Sequence, residues 1–259
     1  MACKRAQAAV LTQAAVVDKT LEGNDLLFGV DSSIQANDLL QNNISMFEWV
    51  KRNKSYPDFW GRNLTGENCL TKEEIVFLHG KGCKIAPMYS NSNSKITEDE
   101  GKKHGLYIAS VALELGIPEN TAIFLEIGDT EKATTAYLKG FAGALLEQGY
   151  TPAFKANTDS KYDFDREFSR GMLNHKDIFK FCIVWAVAPT VPRFIGIATT
   201  HVIHPENWLP FAPSGITRDD IAIWQYGRNS HLINDDKGVQ TTFNLNLVKN
   251  DRIIVEKLF

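Results

Sequence analysis

Apolar residues along the chain fall into short runs separated by longer segments with helical spacing. LLFGVDSS (26–33), PDFWGRN (57–63), CKIAPMYSNS (83–92) and TAIFLEIG (121–128) read as strands. So do TPAFKAN (151–157), FCIVWAVAP (181–189), DIAIWQYGRN (220–229) and VQTTFNLNLV (239–248). Helices are expected between them at 45–53, 70–82, 97–117, 129–150 and near 164–173. Ser45 with Glu48 three residues on has the form of a capping box. Thr71 caps the second helix, and Asp129 or Thr130 is the expected cap of the fourth.

Strand–helix alternation of this kind implies parallel strands joined by crossover helices. Eight strands in a chain of 259 residues favour a closed barrel over an open sheet. The expected fold is α/β, a single (β/α)8 TIM-type barrel over residues 26–259, preceded by an extension over residues 1–25. The last third is less regular: TVPRFIGIATTHVIHPENWLPFAPSGI reads as an excursion, not a helix.

Composition narrows the function classes. A net charge of −3 and a pI near 6.1 give no basic excess to favour nucleic acid. No apolar run approaches the roughly 20 residues of a membrane span. Lys4 and Arg5 precede an Ala/Val segment, but Gln7, Thr12 and Gln13 interrupt it. Residues 1–25 therefore read as a short helix or flexible leader, not as a signal peptide. The expectation is cytoplasmic synthesis, with residues 1–25 as an attachment segment to a larger assembly or with release by another route. The cysteines at 3, 69, 83 and 182 form no CxxC pair, and a Cys69–Cys83 bridge stays open. His201, His204 and His231 lack matching carboxylate spacing, so neither a metal nor another cofactor is expected.

In a barrel of this kind the functional residues gather where the strands end. Those ends carry Asp31, Arg62, Tyr89, Glu126, Asp129, Lys155, Asn157 and Trp185, then Gln225, Tyr226, Asn244 and Asn246. Rings stack on sugar faces and amides read hydroxyls, so this mixture suits a carbohydrate. Glu126 is conspicuous, because a carboxylate inside an apolar strand is costly unless it is paired or used.

The segments FGVDSS, AIFLEIGD, IVWAVA, IAIWQYG and FNLNLV resemble the barrel strands of family 25 glycoside hydrolases, the lysozyme-type muramidases. FWGRN followed by CLTKEEIVFLHGKGCKIAPMYSNS is closer still to the related glycoside-hydrolase-like domain-of-unknown-function family 1906. The resemblance runs from about Leu27 to Val248. It implies hydrolysis of the β-1,4 bond after N-acetylmuramic acid, with peptidoglycan as the partner. Carried over by position, Asp31 matches the first-strand acid and Glu126 one acid of a fourth-strand pair. The second acid is missing: Phe124 and Gly128 stand two residues either side, and Asp129 is a displaced alternative. On the eighth strand Asn244 replaces an expected Asp.

The catalytic candidates are therefore Glu126 as general acid, Asp31 as its partner, and Asp129. Arg62, Tyr89, Asn157, Trp185, Gln225, Tyr226 and Asn244 are the candidate substrate contacts. Direct displacement, water-mediated inversion and attack by the substrate's own acetamido group all stay open. So does a barrel that keeps the sugar cleft but has lost turnover. Bland roles stay open as well: Glu126 bonded to Arg62 or Lys155, Asp31 capping a turn, and the aromatics as core.

Overall fold

The computed structural model describes residues 26–40, 43–91, 95–191, 208–233, 240–249 and 252–259. The expected extension over 1–25, and His201 and His204 of the excursion, lie outside the described residues, as does the side chain of His231.

Eight strands close into one barrel in chain order. They are β1 (Leu27–Ser32), β2 (Phe59–Asn63), β3 (Lys84–Tyr89), β4 (Ala122–Ile127), β5 (Thr151–Asn157), β6 (Ile183–Val191), β7 (Ile221–Ile233) and β8 (Gln240–Val248). The pairs from β1 through β7 are parallel, as alternation with helices requires. The eighth strand departs from the all-parallel expectation, running antiparallel to both β7 and β1. Only residues 234–239 separate β7 from β8, too few for a crossover helix, so the chain returns antiparallel.

Helices α1 (Met46–Asn53), α2 (Lys72–Gly80) and α3 (Glu98–Glu114) start at Ser45, Thr71 and Thr97, whose side chains accept a first-turn N–H. Helix α4 (Thr135–Glu147) starts later than its sequence suggests. Its cap is Thr134, which accepts from Tyr137 N, not Asp129 or Thr130. Glu131 holds the intervening residues as a loop, accepting from Gly128 N at 3.2 Å and Lys95 Nζ at 2.7 Å. Asp129 is thereby placed on a loop at the barrel mouth. Helices α5 (Asp163–Asn174), α6 (Lys176–Phe179) and α7 (Arg252–Lys257) complete the shell. Among the described residues no helix is long and apolar enough to cross a membrane. Cys69 and Cys83 are free thiols, so the bridge left open by the sequence is not formed.

Period-two alternation along the strands sorts the core into two layers. Phe59, Ala86, Met88, Phe124, Ala153 and Trp185 pack inside the barrel. Tyr89, Leu125, Phe154, Trp224 and Tyr226 belong to the larger core that includes the helices. Leu258 joins the inner cluster, and Phe259 exchanges backbone hydrogen bonds with Ile85 at 2.7 and 2.9 Å, which ties the C-terminal tail to the sheet.

Candidate active site

On β4 the inward series Ala122, Phe124, Glu126 ends in the carboxylate, and on β5 the series Ala153, Lys155, Asn157 ends in polar groups. Glu126 and Lys155 are register partners on neighbouring strands, so their side chains meet. Lys155 Nζ lies 3.0 Å from Glu126 Oε1 and 2.6 Å from Asp31 Oδ2. It also stands 4.7 Å from the centre of the Trp185 ring, a cation–π contact that shields the ammonium from below. Burial opposes charge on Lys155, but Asp31 and Glu126 outweigh it and hold the ammonium above the ordinary lysine range.

Asp31 is nearly closed off. Its Oδ2 also accepts from Asn244 Nδ2 at 2.7 Å, and its Oδ1 accepts from Asn246 Nδ2 at 2.8 Å. Trp185 Nε1 donates to Asn246 Oδ1 at 3.1 Å, which orients that amide. The antiparallel sense of β8 brings the asparagines here, since it sets Asn244 opposite Asp31. Gly61 makes the close packing feasible: a Cβ there would lie 2.7 Å from Asp31 Cβ and 2.8 Å from the Trp185 ring.

Above this floor lies a cleft of about 290 Å³, whose lining includes Ser90, Glu126, Asp129, Lys155, Gln225, Arg228 and Asn244. Glu126 has 31% of its side chain exposed, much as Asp129 and Glu131 of the same lining have 30% and 33%. Asp129 takes a two-pronged contact from Arg228, at 2.5 and 3.1 Å, and accepts from Asn157 Nδ2 at 3.4 Å. The Arg228 guanidinium holds the Asp129 carboxyl below the usual carboxylate range. Gln225 is 2% exposed, and its Oε1 accepts no hydrogen bond from the described residues.

The sequence matches the family described as Rv2525c-like, glycoside hydrolase-like domain, over residues 53–241. The chain belongs to this family. No curated protein matches the sequence. Among solved structures, an uncharacterized B. stearothermophilus protein superposes with a TM-score of 0.72 at 25% identity, covering 90% of this chain and 100% of that one. The catalytic domain of endolysin ply40, from bacteriophage P40 of Listeria monocytogenes, gives 0.54 at 15% identity, covering 91% and 99%. A family GH25 lysozyme from Aspergillus fumigatus gives 0.50 at 14% identity, covering 90% and 98%. The last two share the barrel fold with this glycoside hydrolase-like domain.

The glycoside hydrolase-like barrel gathers Glu126, Asp31, Asp129, Asn157, Gln225 and Asn244 at one mouth. Trp185 lies beneath it, fully buried, and touches the site through Lys155 and Asn246. Arg62, Tyr89 and Tyr226 have the opposite parity and point away from the cleft, contrary to the expectation that they meet substrate. Arg62 is 0% exposed, pairs with Glu74 at 3.0 Å, and donates to the carbonyls of Ser32 and Asn68. Tyr89 stacks on Phe141 of α4, and Tyr226 packs edge-on to Trp224. The bland alternative of an Arg62–Glu126 bond is thus replaced by Arg62–Glu74, whereas Lys155–Glu126 is present. Lys155 and Arg228 line the cleft as well, outside the catalytic and substrate-contact candidates that the sequence suggests. The inward parity of Lys155 beside Glu126 was a usable signal; Arg228 follows a register shift in β7 that breaks the alternation.

Proposed function

We propose that the cleft binds and hydrolyses a cell-wall glycan of the peptidoglycan type, with Glu126 protonating the leaving oxygen. The observation that carries the reading is the position of Glu126: it stands near the end of β4, lines the cleft and is about one-third exposed. Likeness to an endolysin domain and a lysozyme supports the substrate class.

The two carboxylate oxygens that share Lys155 Nζ lie 2.6 and 3.0 Å from it, so they cannot be further apart than those lengths end to end. That upper limit admits the spacing of about 5–5.5 Å used for direct displacement. Yet the ammonium fills the space between them, and both Asp31 oxygens are engaged. Asp31 therefore serves as an electrostatic anchor, not as a nucleophile. The route compatible with this arrangement uses the substrate's own acetamido oxygen. Glu126 gives its proton to the glycosidic oxygen, the C1–O bond breaks, and the acetamido oxygen bonds to C1. Water then opens the cyclic intermediate and yields a proton to Glu126.

A second reading, a glycan-binding barrel without turnover, is favoured by one contact. The Lys155 ammonium sits 3.0 Å from the carboxylate that must carry the proton. Incubation with peptidoglycan and with chito-oligosaccharides, beside Glu126→Gln, separates the two. New reducing ends from the wild type alone support hydrolysis. Retained binding with no cleavage selects the binding module, and no binding at all defeats both.

A further inference from the structure

Charge is unevenly matched around the cleft. Among the described residues its lining holds the acids Glu126, Asp129 and Glu131 and the cations Lys155 and Arg228. Two of the acids are matched one to one: Arg228 answers Asp129, and the buried Lys95 answers Glu131. Glu126 is not, because Lys155 reaches it at 3.0 Å while serving Asp31 at 2.6 Å. With both carboxylates ionised, one ammonium faces two negative charges, and the floor is left one positive charge short. The segments that follow β6 and β7 outside the described residues, 192–207 and 234–239, carry Arg193 and Lys237 against Glu206, Asp235 and Asp236. Their formal charge has the same sign.

A second observation points the same way. Gln225 lines this cleft, is 2% exposed, and its Oε1 accepts no hydrogen bond from the described residues. A buried acceptor without a donor is costly. Charge and hydrogen bonding together call for a ligand that is positive and rich in donors. An alkyl ammonium brings one charge and three N–H groups, whereas an acetylated amine brings a single N–H and no charge. A metal ion fits less well, since among the described residues no three His, Cys, Asp or Glu are placed to hold one.

We propose that the cleft takes a primary ammonium carried by its glycan ligand, seated against Glu126. This rests on the glycan reading above and adds to it a preference for a cationic over a neutral ligand. The ammonium has two sources, a sugar that has lost its acetyl group or a lysine-type side chain on an attached peptide. It belongs to a unit beside the cleaved sugar, which keeps its acetamido group for the cleavage step.

The test is calorimetric titration with two ligand pairs, at a pH that keeps free amines charged. One pair is a glucosamine tetramer and its N-acetylated form; the other is a lysine-bearing stem peptide with that amine free or acetylated. In at least one pair the wild type should bind the free amine about ten-fold tighter. Raising salt from roughly 0.05 to 0.5 M should shrink the gap, because part of the attraction is screened. Glu126→Gln removes the unmatched charge and Asp129→Asn leaves Arg228 unopposed, so in each the gap should fall below about three-fold. If one variant fails to fold, the other and the salt series still decide. The pair that shows the gap assigns the ammonium to the sugar or to the peptide. Binding of the tetramers with no gap in either pair overturns the ammonium preference and leaves the glycan reading standing. A wild type that binds none of the four ligands overturns both.

Discussion

Lys155 and Asp31 come from opposite parts of the chain, yet Lys155 Nζ lies 2.6 Å from Asp31 Oδ2, with the two side chains 1% and 5% exposed. Charges this deeply buried are tolerated only in each other's company. Lys155→Met leaves Asp31 with amide donors alone. The expected loss of stability is about 3–5 kcal/mol, read by urea denaturation. The double variant with Asp31→Asn should lose clearly less than the two single losses together, because the stranded charge is gone. A single-variant loss below about 1 kcal/mol would show that the ammonium does not hold the aspartate.

Arg62 and Glu74 form a second buried pair, both with side chains fully closed to solvent. Glu74 Oε1 also accepts from Ala36 N at 2.7 Å, so the pair ties β2 and α2 to the loop after β1. Arg62→Met should therefore destabilise the fold by about 3 kcal/mol or more. Glycan affinity of the folded fraction should stay within about two-fold of wild type, since no Arg62 surface reaches the cleft. A ten-fold fall in affinity at full folding would restore Arg62 as a substrate contact.

The closed barrel and the mouth position of Glu126 were legible because strand runs, caps and spacing all repeat in register with the β/α unit. Strand-end position without parity does not tell which face a side chain enters. Arg62, Tyr89 and Tyr226 lie at strand ends but one residue out of phase with Gly61, Met88 and Gln225, so their side chains enter the outer layer. The antiparallel turn of β8 was hidden too, since an alternating strand reads the same in either direction. The Asp129–Arg228 contact joins residues 99 apart, and nothing local in either segment announces it.

Asp129 supplies a pH test of that contact. Arg228, by hydrogen bonding and by charge, outweighs burial and Asn157 adds to the same side, so the folded carboxyl titrates below its unfolded value of roughly 3.9. A depressed acid contributes stability that is present above the unfolded value and is lost as pH falls through the folded one. The Asp129–Arg228 bridge should accordingly stay closed at neutral pH and open only as pH falls below the ordinary aspartate range. An NMR titration of the Asp129 carboxyl carbon should give a midpoint below the ordinary aspartate range. The midpoint should move up in Arg228→Ala; an equal midpoint in both proteins would mean that the bridge does not persist in solution.

Glu126 gives the sharpest division between chemistry and structure. Its side chain is about one-third exposed and pairs with a lysine that keeps Asp31 as a partner, so its loss strands no buried charge without company. Glu126→Gln keeps the shape and one acceptor oxygen while removing the transferable proton. Stability should change by less than about 1 kcal/mol, the range of partly exposed pairs. Hydrolysis of peptidoglycan should fall by about 10²–10⁴, the usual contribution of a positioned acid or base. Measured together, unfolding and reducing-end release separate the roles. Lost turnover at unchanged stability makes Glu126 the proton donor, whereas a large loss of stability would mark it as a structural member of the Lys155 cluster.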